Sequence, residues 1–140
     1  MPISDALAEA LLDLYFNATA IPNVADDASV SPITTIYMSL HTGDPDGGNQ
    51  ETSEADYGGY DRVAVSRASG GWTISGTDVN PTSDIEFPTC TSGSNTITHV
   101  GFGRSASGTG TLDWSGSITS MAVATDDQPV LDTDSTVSLT

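Results

Sequence analysis

The chain has 140 residues, enough for one domain with a real core. Nineteen acidic residues stand against three arginines and no lysine, a formal charge of −16 at pH 7. That balance rules against nucleic acid, whose phosphates need clustered Lys and Arg, and against an anionic membrane surface.

Fifteen of the acids are Asp and four are Glu, dispersed along the chain. Dispersed Asp without Lys reads as the surface of a protein adapted to concentrated salt, where screening relieves self-repulsion; an ordinary acidic protein is the alternative. Nineteen threonines and 18 serines favour short strands and turns over helices. Cys90 is the only cysteine, so no intrachain disulfide can form, and its setting between Pro88-Thr89 and Thr91-Ser92 reads as a small semi-buried residue. Met1 to Ser4 carries no basic segment, and Asp5, Glu9 and Asp13 interrupt the apolar run, so no signal peptide is expected. With no apolar stretch of about 18 residues, no helical membrane span is expected either.

One helix is predicted, at about residues 4–17. Ser4 caps it, Asp5 favours its positive end, and Leu7, Leu11 and Leu14 form a stripe at i, i+4, i+7. Leu12, Tyr15 and Phe16 widen the apolar surface beyond one stripe. The helix is therefore expected to pack on its own domain with one face and on a neighbouring subunit with another; a helix plugging the end of its own sandwich is the simpler alternative. Asn17 to Pro32, with Pro22, Asp26 and Asp27, reads as a connecting loop.

Ile36, Met38 and Leu40 alternate with Tyr37 and Ser39 as in a strand with one face on a core. A long polar excursion follows from His41, and a second strand runs from Tyr60 to Arg67. Trp72 to Gly76 is strand-like, with Trp72 and Ile74 on one face. Asn80-Pro81 marks a loop, Asp84 to Pro88 a short strand, and Thr96 to Gly103 a strand carrying Val100 and Phe102 on one face. Thr111 to Ser115 and Ser117 to Thr125 read as two strands interrupted by Gly116. Val130-Leu131 and Val137 to Leu139 close the chain. Seven or eight short strands after one helix predict a mainly β domain, a jelly-roll-like β-sandwich over residues 1–140.

The run Tyr37-Met38-Ser39-Leu40-His41-Thr42-Gly43-Asp44-Pro45, then Thr52-Ser53-Glu54 and Gly59-Tyr60-Asp61-Arg62-Val63-Ala64-Val65, resembles a family of small tailed-virus proteins. Its members share a short N-terminal helix, an "L-x-T-x-D-P" element and a "G-Y-x-R-x-x-V" strand, and are commonly labelled tail-fibre or head-decoration proteins. The similarity continues through Ile85-Glu86-Phe87-Pro88, Thr98-His99-Val100-Gly101-Phe102 and the last strand. It implies a virion structural protein, a homo-oligomer that meets other virion proteins such as the major capsid protein.

Asp44 to Glu51 is rich in oxygens, but it fills only the first positions of a calcium loop and its glycines come too early, so a solvated turn is the better reading. His41 and His99 lie in or beside strands, and no Gly-x-Ser-x-Gly elbow occurs. Asp26-Asp27 and Asp126-Asp127 are adjacent residues in loops, unlike two carboxyls held across a sugar cleft. Core packing explains Trp72 and Trp114. No enzyme, cofactor or metal is therefore expected. The expected interaction residues are Leu11, Leu12 and Phe16 on the helix, Asp44, Asp46, Glu51 and Glu54 on the loop, and Arg62, which is expected to hold a loop or a subunit contact together. The loop His41 to Tyr57, short of apolar anchors, is expected to reach a neighbouring subunit or the capsid shell and meet arginines such as a neighbour's Arg62. Within the virion, capsid decoration as a cement or turret subunit is favoured. Tail fibre or baseplate is the alternative, and a carbohydrate-binding module the reading from another class.

Overall fold

The computed structural model describes residues 3–21 and 32–138. Pro22, Asp26 and Asp27 of the expected loop, and Leu139 of the last strand, lie outside them. Among the described residues are one helix, α1 (Asp5–Asn17), and nine strands: β1 (Thr35–His41), β2 (Val63–Ser66), β3 (Trp72–Ser75), β4 (Asp78–Pro81), β5 (Ile85–Glu86), β6 (Asn95–Gly103), β7 (Leu112–Val123), β8 (Val130–Leu131) and β9 (Val137–Ser138). The chain is mainly β, with one N-terminal helix and several antiparallel sheets, consistent with the expected sandwich class. It forms two compact units, each gathered from separate stretches: Met1–Thr35, Ser66–Asp84 and Asp132–Thr140 in the first, Ile36–Val65 and Ile85–Leu131 in the second.

In the first unit α1 packs on the sheet β3-β4-β9. Ser4, in extended conformation, accepts the Leu7 N–H at 3.3 Å and caps the helix start. Ala18 ends it in the left-handed region (φ 55°). The buried stripe is Ala8, Leu12 and Phe16, with the Phe16 ring edge-on to Trp72 at 4.7 Å between centroids. This corrects the expected stripe: Leu7 is 42 % exposed and Leu11 half-buried, because the helix turns Ala8, Leu12 and Phe16 inward, with Phe16 against Trp72. The last turn holds no basic residue; instead Arg67, just past β2, donates to the carbonyls of Leu14 and Tyr15 and to that of Ile33, satisfying the negative helix end from outside. Asn80-Pro81, expected as a loop, belongs to β4: Asn80 pairs with Thr73, and its amide also donates to Thr133, Ser135 and Thr136. Pro81 is tolerated because its nitrogen faces the side of β9, which pairs only with Asp78 and Val79 among the described residues, so no ladder bond is lost there.

The second unit is built on the sheet β2-β1-β6-β7, with the small pair β5-β8 beside it in sequence. β1 and β6 run antiparallel, Tyr37 opposite Gly103 and Leu40 opposite Val100. Ile36, Met38 and Leu40 alternate into the core as the sequence pattern requires, joined by Ile97, Val100, Phe102, Tyr57, Phe87 and Cys90. Gly116 does not interrupt β7, which is continuous over 12 residues; a glycine with open space around it is accommodated in an exposed strand without breaking the ladder. The irregularity falls further on: Ile97 pairs Met121 and His99 pairs Ser117, so Ile118, Thr119 and Ser120 bulge opposite Thr98.

Candidate functional site

The excursion from His41 to Tyr57 is where the family-like motifs lie, and it is anchored throughout. Thr42 N–H donates to Ser53 O at 2.8 Å, Ala55 N–H to Leu40 O at 2.8 Å and Gln50 N–H to Gly110 O at 2.9 Å. Side-chain turns tighten its tip: Asp44 Oδ1 accepts from Asp46 N–H and Asn49 Oδ1 from Glu51 N–H. Pro45, Gln50, Ala55 and Tyr57 are all buried. The expectation of a loop with few apolar anchors is met by other anchors, among them Gln50 and Pro45, residues that hydrophobic patterning does not count.

Gln50 is fully buried, and its Oε1 accepts from Ser105 N–H at 3.0 Å. A Cβ at Gly103 or at Gly110 would collide with its carboxamide, so both glycines are needed to make its slot. Asn95, at the start of β6, accepts from the Asp56 and Tyr57 N–H groups, both at 2.9 Å, and fixes the loop's far end. Tyr57 itself donates to Pro88 O at 2.9 Å; burial, then the nearby Cys90, pushes its pKa up to about 12.

At the centre is a buried clamp. Arg62 grips Glu54 with two parallel bonds, Nε to Oε1 at 2.6 Å and Nη2 to Oε2 at 2.7 Å, and donates further to Ser105 O at 3.0 Å and Gly108 O at 2.7 Å. Its side chain is 2 % exposed and that of Glu54 13 %. The Glu54 bonds raise the Arg62 pKa against the opposing cost of burial. Tyr60 donates to the same Glu54 Oε1 at 2.9 Å and accepts from Leu40 N–H at 3.0 Å, and burial raises its pKa strongly. Gly59 makes the turn that brings both residues in: its φ is +90°, and a Cβ there would sit 3.0 Å from Thr89 O.

His41 lies beneath the clamp, fully buried. Nδ1 faces Thr52 O at 2.8 Å, and since a carbonyl only accepts, Nδ1 carries the proton and Nε2 accepts from Ser39 Oγ at 2.8 Å. Desolvation lowers its pKa below the ordinary 6.5, outweighing the Thr52 bond and Glu54.

Above this scaffold an open cleft of about 420 Å³ is lined by Asp44, Asp46, His99, Asp113, Trp114 and Ser115 to Ser117. Arg104 holds Asp113 through two bonds of 2.8 Å. Trp114 is half-buried at the cleft, not in the core as expected, whereas Trp72 is 2 % exposed within its own unit. Among the described residues no group of three His, Cys, Asp or Glu side chains is placed to hold a metal ion.

The structure thus separates the expected interaction residues. Leu12 and Phe16 are core, and Arg62 and Glu54 spend their charges on each other, so neither is left to meet a neighbour's charge. Asp44 and Asp46 gather at the cleft, Glu51 is exposed on the loop, and Leu11 is half-buried on the flank of α1. Gln50 and Asn95 were missed. Tyr60 stood in the Gly59 to Val65 motif, and Arg67 left a signal as the cation absent from the last turn of an otherwise well-capped helix.

The side chains of these motifs, Glu54, Tyr60 and Arg62, are used to fix a loop. The chain belongs to the family described as Podophage GP4 fiber I protein gp80, whose model matches residues 2–138, and it is a virion component. No curated protein matches the chain.

Proposed function

We propose that the protein is a non-enzymatic structural subunit of the tail-fibre apparatus of a tailed virus. The observation that carries this reading is a fibre-family match spanning residues 2–138. It is supported by the use of Arg62, Glu54, Tyr60 and Gln50 to rigidify a loop, where an enzyme would leave such groups facing a cleft. Capsid decoration, favoured on the sequence, draws less support from a family of fibre proteins. Antibody labelling of intact virions imaged by electron microscopy tests the proposal: label at the fibres is expected, and label spread over the capsid shell would replace it with decoration.

A second reading, saccharide binding, is favoured by one feature, the indole of Trp114 beside the carboxylates of Asp44 and Asp46 in an open cleft. A glycan screen with the parent and Trp114→Ala decides it: binding to one sugar class that the substitution abolishes would establish the site, and no binding by the parent would remove it.

A further inference from the structure

We infer that the outer edge of β7 is the seam through which two copies of this chain associate, strand to strand and antiparallel. β7 is the last strand of its sheet, hydrogen-bonded only to β6 among the described residues, so one side of its backbone is left without a strand partner. Ser115, Gly116, Ser117, Thr119, Ser120 and Ala122 are exposed, and a Cβ at Gly116 would meet nothing within 4 Å.

Charge selects a second copy as the occupant. In a chain of −16, a surface that carries acids and meets itself brings carboxylates together. From Trp114 to Thr125 the sequence contains no charged residue and no proline, two of the devices that protect an edge, and the bulge is the one such device β7 carries. By its register on β6, at about 3.3 Å per residue, Thr119 lies roughly 15 Å along the strand from Asp113 and roughly 10 Å from the end of β7, beyond which Asp126 lies, both more than the Debye length of about 8 Å at physiological salt. Asp44 and Asp46, lining the cleft with Ser115 to Ser117, approach the strip more closely.

The register is self-complementary as well. The bulge Ile118 to Ser120 divides β7 into two regular runs, Trp114 to Ser117 and Met121 to Val123. A two-fold axis near Thr119 lays each run against the other run of the second copy and puts bulge beside bulge, as an isologous contact requires. This is strand addition at a sheet edge, in which backbone hydrogen bonds supply the affinity. Because acids lie at both ends, association should tighten as salt rises.

Sedimentation equilibrium on the purified full chain from low to molar NaCl tests the seam independently of where the protein sits on the virion. Reversible dimers that strengthen with salt are expected. Thr119→Glu and Thr119→Lys should each weaken the dimer at least about tenfold, because like charges would face each other across the axis. The lysine variant separates this seam from others: it lowers the net negative charge, so it would strengthen association through any other surface, and that result would overturn the inference. So would a parent monomeric at every salt concentration. Cross-linking serves where a charge variant fails to fold. Cys90 is fully buried, so Thr119→Cys supplies the one exposed thiol and should oxidise to a covalent dimer, while Ser69→Cys, in an exposed turn, should not; the reverse pattern would likewise overturn it.

Discussion

Glu54 receives three side-chain donors, Nε and Nη2 of Arg62 and the Tyr60 hydroxyl, within 2.6–2.9 Å. Glu54→Gln leaves Arg62 charged and buried without its counter-ion, which should cost about 3 kcal/mol; urea denaturation measures it, and a loss under about 1 kcal/mol would mean that the carbonyls of Ser105 and Gly108 suffice. The double variant Glu54→Gln, Arg62→Met should recover part of that loss only, since it leaves those two carbonyls without donors. His41 gives a pH signature. Its folded pKa lies below 6.5, so the unfolded chain binds the proton first, and stability falls as pH drops through 6.5 toward the folded value. Melting temperature should therefore decline between about pH 7.5 and 5.5, a window above the ordinary carboxylate range of about 4. His41→Asn should lower stability at pH 7.5 and flatten the slope; an unchanged slope would assign it to another group.

At the scale of elements, α1 depends on a residue outside itself. Arg67 answers the carbonyls of Leu14 and Tyr15 at a helix end that has no cation of its own. Arg67→Met should cost about 1–2 kcal/mol through the lost charge–dipole and hydrogen-bond contributions, and amide exchange should rise first in the last turn of α1. Exchange that rises uniformly would point to general loosening instead. Ser4, Asp5 and the apolar spacing made this helix legible in the sequence, but its rotation was not, because Leu7, Leu11 and Leu14 are as apolar as Ala8, Leu12 and Phe16. Which stripe is buried depends on the shape of β3 and β4 below, set by Trp72. The strands followed the same rule. Alternation gave β1 and β6, while β4 was hidden by Pro81, and β7 looked divided at Gly116, because backbone pairing and local space, not side-chain type, decided both.

For the whole molecule, charge dominates. Screening of 19 acidic side chains by salt should raise the melting temperature steadily from low to molar NaCl. A flat profile would mean that the acids are spaced widely enough for repulsion to be negligible, and with it the high-salt reading would fall. The class of protein was legible in the short motifs around Asp44-Pro45 and Gly59 to Arg62, whereas the use of their side chains was not, since Glu54 reaches Arg62 through chain reversals that no spacing rule encodes. The placing of the few arginines has one more consequence. Trypsin cuts after Lys or Arg, so this chain offers it three peptide bonds, after Arg62, Arg67 and Arg104. Arg62 is buried and Arg67 is tied to the helix end, while Arg104 is 54 % exposed despite its bonds to Asp113. Limited digestion should then nick the folded protein at Arg104 alone, between β6 and β7, leaving the long polar loop whole: a surface rich in turns and acids that a basic-specific protease finds almost nowhere to enter.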